Sequence, residues 1–149
     1  MINDEGLELI KEYEGLRLSP YLCSGGYPTI GYGAIYSAKG KRVKMLDPPI
    51  NEHQAEELLR RDVNIAYRSI ERLTTPYTED LTANQMAALS SLCFNIGSGN
   101  FRASSVRSLI RRGEIESAGK NFWQWRRASG VIVSGLVRRR ARETQLYFS

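Results

Sequence analysis

Hydrophobic positions along the chain follow a helical period at both ends and a period of two in between. Near the N-terminus, Asn3 or Asp4 caps a helix that runs to about Glu14 and stops at Gly15. At about 100° per residue, Leu7, Ile10 and Glu14 fall within about 60° of one another, so Glu14 projects from the apolar face at the helix's C-terminal end. From Tyr21 to Tyr36 alternation takes over. Ser24-Gly25-Gly26 reads as a turn and Tyr27 to Tyr36 as a strand, with Thr29, Gly31 and Gly33 on one face and Ile30, Tyr32 and Ala34 on the other. Residues 37–49 form a basic loop or ragged strand carrying Lys39, Lys41, Arg42 and Lys44, stopped by Asp47-Pro48-Pro49.

Helices follow to the end. Asn51-x-x-Gln54 has the form of a capping box and opens a long stripe of Ala55, Leu58, Leu59, Val63, Ala66, Ile70 and Leu73. Thr82-x-x-Gln85 repeats the signal before Met86, Leu89, Leu92, Cys93 and Ile96, with Gly97 as the stop. Shorter helices are expected over 104–112, 114–127 and 135–148. A small N-terminal part with strands and a helical remainder make an α+β, mainly helical fold.

At 149 residues and 42% hydrophobic composition the chain suits one domain, or two lobes around a shared core. No apolar run is long enough to cross a bilayer, and the acidic, amphipathic N-terminus does not read as a signal peptide. Charge is uneven. Residues 1–101 carry ten Lys/Arg against thirteen Asp/Glu, while 102–149 carry eleven against three. The basic C-terminal third implies an anionic partner: nucleic acid, a membrane surface or an acidic polymer such as a cell wall. Nothing there marks a recognition helix, so nucleic acid is not the expected partner.

The chemistry available is narrow. One histidine and two cysteines exclude a structural zinc site and a disulfide framework. His53 follows a helix cap and reads as solvated, and Cys93 lies in an apolar stripe and reads as inert core. Carboxylate chemistry remains, and Glu14 suits it: a helix C-terminus and partial burial both favour the neutral, proton-bearing form of a carboxyl. Glycosidic hydrolysis needs such an acid beside the leaving oxygen and a second group managing water. Thr29, on a glycine-lined strand face, is placed to hydrogen-bond that water. Trp123 and Trp125 cannot share a helix face, so one fills core and the other is exposed.

Glu14-Gly15-Leu16-Arg17-Leu18, Tyr21 and Gly26-Tyr27-Pro28-Thr29-Ile30-Gly31-Tyr32-Gly33 together resemble the catalytic signature of phage-type lysozymes, the endolysin glycoside hydrolases. That pattern is a Glu, eight residues, an Asp or sometimes Cys, five residues, then a Thr; Glu14, Cys23 and Thr29 fall on it. Leu81-Thr82-x-x-Gln85, Phe94-Asn95-Ile96-Gly97, Phe122-x-x-Trp125 and Gly135-Leu136-x-x-Arg139-Arg140-x-x-Glu143 resemble the family's helical lobe.

The resemblance implies a lysozyme-like two-lobed fold, a β lobe near 15–50 and a helical lobe of 1–14 plus 51–149, around a saccharide cleft. It implies cleavage of the β-1,4 bond between N-acetylmuramic acid and N-acetylglucosamine in peptidoglycan, with Glu14 as proton donor, Thr29 positioning water, and no cofactor. Ile35, Phe94, Asn95 and Ser105 fall at or near sugar-contacting positions, and Arg139 is placed by register to pair with Glu14. The other arginines of 138–142 then form a solvated basic face that attracts the wall. A monomer is expected, held in the host cytoplasm until a separate membrane-opening, holin-type protein admits it to the periplasm. Two positions depart from the family: Cys23 stands where many relatives carry aspartate, which leaves inversion or retention open, and Ala34 where many carry histidine. A catalytically lapsed lysozyme fold that binds glycan or a protein partner is the alternative those departures raise.

Overall fold

The computed structural model describes all residues, 1–149. Its elements run α1 (Asp4–Glu14), β1 (Arg17–Leu22), β2 (Pro28–Gly31), α2 (Glu52–Thr74), α3 (Ala83–Ile96), α4 (Ser98–Ala103), α5 (Ser105–Arg111), α6 (Ile115–Gly119), β3 (Arg127–Ala128), β4 (Val131–Ile132) and α7 (Ser134–Tyr147), with 3-10 turns at Tyr77–Asp80 and Phe122–Gln124. The chain divides into two compact units: residues 1–10 with 63–149, and residues 11–62.

In the first unit α3 is the core. Eight consecutive residues, Met86 to Cys93, are buried, because α3 is wrapped by other helices and packs along α7. Ile70, Leu89, Leu92, Phe101, Ile110 and Phe122 fill the space around it. α1 approaches so closely that a Cβ on Gly6 would stand 2.6 Å from Ala87 Cβ, and only glycine is accommodated there. The start of α1 is tied down by side chains: Asn3 Nδ2 donates to Asn84 Oδ1 at 2.7 Å, and Asn84 Nδ2 donates to Ser149 Oγ at 2.9 Å.

Both sequence-read capping boxes form. Gln54 N donates to Asn51 Oδ1 at 2.8 Å and Asn51 N to Gln54 Oε1 at 2.9 Å; Thr82 and Gln85 exchange the same pair of bonds. Because Thr82 is exposed, Thr82→Ala removes the cap with little loss of packing. We expect a cost of about 1 kcal/mol, read as a fall in Tm of roughly 2–4 °C in thermal unfolding.

The second unit holds the antiparallel hairpin β1–β2, in which Tyr21 pairs with Thr29 and Leu22 with Pro28. The single strand expected over 27–36 is not observed. It ends at Gly31, and Ile30 and Ala34 bond each other's backbone both ways at 2.9 Å. Gly31 and Gly33 take φ values of +68° and +96°, which turn the chain back and take Gly31 and Gly33 out of Thr29's face. Ile30, Ala34, Val43 and Leu58 make a small core of their own. β1, the short helix α4 and the hairpin β3–β4 are additional to the sequence reading. The helix expected over 114–127 ends at Gly119 and resumes only as a 3-10 turn.

Candidate active site

Glu14 is the last residue of α1 and is half-buried. Its carboxylate stands against the chain reversal just described: a Cβ on Gly33 would lie 3.7 Å from Glu14 Oε2. Gly33 thus leaves the carboxylate a bare backbone to face; a Cβ there would only touch it, and the cost of a larger residue lies in the φ of +96°. One turn earlier on α1, Lys11 forms an ion pair with Glu56 of α2 and lies 5.9 Å above the Tyr32 ring, which fixes the end of α1 within this unit. Lys11 and Arg60 hold the Glu56 carboxyl below its usual range, so it stays ionised in mild acid.

Cys23 and Thr29 are diagonal neighbours across the hairpin, since Thr29 pairs with Tyr21 and Cys23 bonds Tyr27. Cys23 N donates to Tyr27 O at 3.0 Å, closing the turn. Thr29 is buried, and its hydroxyl donates to the Tyr27 carbonyl at 2.9 Å while lying within reach of the Cys23 sulfur. Hydrogen bonding from the Tyr27 backbone, then from the Thr29 hydroxyl, holds the Cys23 thiol below the ordinary thiol range. Cys93 is the opposite case: burial in the α3 core pushes its thiol up to about 11. Iodoacetamide at neutral pH is therefore expected to label Cys23 first, with a rate that rises with pH and levels off earlier than for an ordinary thiol. Cys93 should react only after unfolding. Peptide mass mapping of the alkylated protein checks both.

Tyr21 joins this group, which the sequence reading did not assign a role. Its phenol is partly buried and senses the charges of Cys23 and Glu14, and burial raises its pKa. Arg17 lies 4.6 Å over its ring. Its pairing opposite Thr29 became visible only with the hairpin register. Ile35, also of this unit, is half-buried.

The remaining sequence-read residues lie in the first unit. Asn95 is exposed at the end of α3, and its Oδ1 accepts from Arg140 Nη1 at 2.9 Å. Phe94 packs partly against the core. Ser105 Oγ donates to Gln124 Oε1 at 2.8 Å. Arg139 is buried on α7, with Nε 3.2 Å from Glu143 Oε1 and Nη2 3.4 Å from Ser91 Oγ. Arg140 does not belong to a solvated face as the sequence suggested. It is 2% exposed, donates from Nη1 to the Trp125 carbonyl at 3.1 Å and from Nη2 to Glu143 Oε1 at 2.9 Å. Arg140 Nε and Glu143 Oε2 stand 2.7 Å apart as a charge contact that departs from the N–H direction. Glu143 is fully buried, so two arginines and Ser91 surround one carboxylate. Trp123 is half-exposed and Trp125 packs partly against the core, though the helix on which their spacing was read is only a 3-10 turn here.

The sequence and the fold have counterparts. The chain is 35% identical over 152 residues to an endolysin of Acyrthosiphon pisum secondary endosymbiont phage 1, covering 99% of this chain and 98% of that protein. It is 33% identical over 150 residues to an endolysin of Bacillus phage B103, of which it spans just over half the length, 54%. Its structure superposes on an endolysin from Escherichia coli O157:H7 phage FAHEc1 with a TM-score of 0.87 at 32% identity, covering 100% of this chain and 94% of that one. The Phage lysozyme family matches residues 11–143, a span that includes Glu14, Cys23, Thr29 and the buried Glu143. With that match and those relatives, this chain belongs to the phage lysozyme family and is a glycoside hydrolase of the lysozyme type.

Proposed function

We propose that this endolysin hydrolyses the β-1,4 bond between N-acetylmuramic acid and N-acetylglucosamine in peptidoglycan, with Glu14 protonating the leaving oxygen. The observation that carries the assignment is the placing of Glu14. It is a half-buried carboxyl at a helix C-terminus, held against the bare backbone of Gly33, in the same compact unit as the Cys23–Thr29 pair. A carboxyl so placed can hand a proton to the glycosidic oxygen when the sugar seats beside it.

The Thr29 hydroxyl donates to Tyr27 O, which leaves its oxygen lone pairs to accept a hydrogen from the attacking water. The Cys23 sulfur, beside it, takes part as an acceptor for the same water or as a thiolate nucleophile. Ile35, Phe94, Asn95 and Ser105 are assigned to glycan contact. Arg139, enclosed by Glu143 and Ser91, is assigned a supporting role. The protein acts as a monomer that accumulates in the host cytoplasm and reaches the wall when a holin-type protein opens the membrane.

Digestion of purified peptidoglycan tests the bond. The expected products carry N-acetylmuramic acid at their new reducing ends, identified by borohydride reduction and mass spectrometry. New reducing ends on N-acetylglucosamine, or release of peptides without new reducing ends, would overturn the assignment.

A further inference from the structure

The basic segment singled out in the sequence, residues 37–49, takes no part in the site above, and its structure is ordered in a specific way. Two tight turns shape it. Gly40 N donates to Ser37 O at 2.9 Å and Ser37 N to Lys41 O at 2.8 Å; then Asp47 N donates to Lys44 O at 3.0 Å and Lys44 N to Asp47 Oδ2 at 2.8 Å. Arg61 anchors the base, donating from Nη1 to Ser37 O at 2.7 Å and from Nη2 to Tyr36 O at 2.9 Å. The tip of the second turn is Met45-Leu46. Leu46 is 99% exposed and Met45 47% exposed.

Turn tips ordinarily carry Gly, Asn, Asp or Ser, which a leucine that touches nothing contradicts. Lys44 directly precedes that tip, and Lys39 and Lys41 of the first turn, all exposed, line one cavity with it. The one carboxylate within the loop, Asp47, is engaged by the Lys44 backbone. Beside them Arg42 lies between the half-exposed rings of Tyr27 and Tyr36, 5.5 and 5.4 Å from their centroids. A cavity of about 660 Å³ opens alongside, edged by these lysines and apolar at Val43 and Ile50.

An apolar tip, a cationic collar and tyrosines at its margin match one partner: a bilayer bearing anionic phospholipids. Leucine and methionine enter the acyl boundary, lysines meet the headgroup phosphates, and tyrosine suits the interface between. A soluble anionic polymer would engage the lysines and leave Met45 and Leu46 in water. We propose that residues 36–47 dock this protein onto anionic phospholipid membranes, through insertion of the Met45-Leu46 tip. The inference goes beyond the hydrolytic reading and does not rest on it.

The test uses the full chain and vesicles of phosphatidylcholine with and without phosphatidylglycerol. Wild type should co-sediment with the anionic vesicles, lose binding as salt rises, and bind pure phosphatidylcholine poorly. Leu46→Asp should weaken binding roughly tenfold or more, and each Lys→Ser change at 39, 41 or 44 roughly fivefold. Leu46→Trp should gain a blue-shifted emission on anionic vesicles, measured as the difference from wild type. All variants should clear permeabilised cells at the wild-type rate, which shows that they fold. Three results would each overturn the proposal: no preference for anionic vesicles; unchanged binding by Leu46→Asp, which moves the contact to the basic C-terminal third; or Leu46→Trp emission that stays unshifted while the protein is vesicle-bound.

Discussion

Glu14→Gln is expected to clear permeabilised Gram-negative cells about 10²–10⁴-fold more slowly than wild type, the range a positioned general acid contributes. The amide keeps the volume and the hydrogen-bonding capacity of the side chain and lacks a proton that the leaving oxygen can take. The end of α1 is held by Lys11 with Glu56 and by Lys11 above Tyr32, and both contacts survive the substitution. The loss should appear in turnover while affinity for insoluble wall is retained, with thermal unfolding as the check that the variant is folded. Glu14→Asp separates chemistry from placement: it restores a carboxyl one methylene short, and should recover part of the activity that Gln removes. Clearing by Glu14→Gln at the wild-type rate would move the acid elsewhere. The lapsed reading would instead show as folded wild type that binds wall without clearing it.

The largest effect on stability is expected at Glu143. This carboxylate has no exposure, and three donors converge on it: Ser91 Oγ at 2.6 Å, Arg140 Nη2 at 2.9 Å and Arg139 Nε at 3.2 Å. Glu143→Ala removes the carboxylate that two guanidiniums, 3% and 2% exposed, share. Breaking a buried pair from one side costs about 3–5 kcal/mol, against a total stability of roughly 5–15 kcal/mol for a domain. Tm should fall by on the order of 10 °C. The double variant Glu143→Ala, Arg140→Met distinguishes an unpaired charge from a cavity. If the stranded guanidinium is the cost, the second change recovers stability; if lost volume is the cost, the two penalties add. Urea unfolding of the single and double variants reads the difference, and a cost below 1 kcal/mol for Glu143→Ala would refute the burial argument.

The helices were legible where the signal was local. Asn51-x-x-Gln54 and Thr82-x-x-Gln85 announce their helices because a capping box is a contact between residues three apart, and nothing distant alters it. Glu14 was legible for the same reason, since its place on the apolar face follows from α1 alone. The strand over 27–36 misled because alternation continues through Gly31-Tyr32-Gly33, while the backbone there adopts left-handed values that alternation does not register. Arg140 misled for a different reason. Arg139, Arg140 and Glu143 at spacings of three and four look the same in sequence whether solvated or buried. What decides is the packing of α7 along α3, which brings Ser91 to the carboxylate across a separation of 52 residues. The nearness of Cys23, Thr29 and Tyr21 was partly legible from the hairpin, but which of them share a hydrogen-bond path depends on the register.

Asn84 has a role in the wiring of the chain beyond its hydrogen bonds. One amide side chain receives Asn3 and reaches Ser149, so segments 81 and 65 residues away in sequence meet at a single residue of α3. The stretches around residues 3 and 149 are thereby coupled, because one substitution at Asn84 unties both.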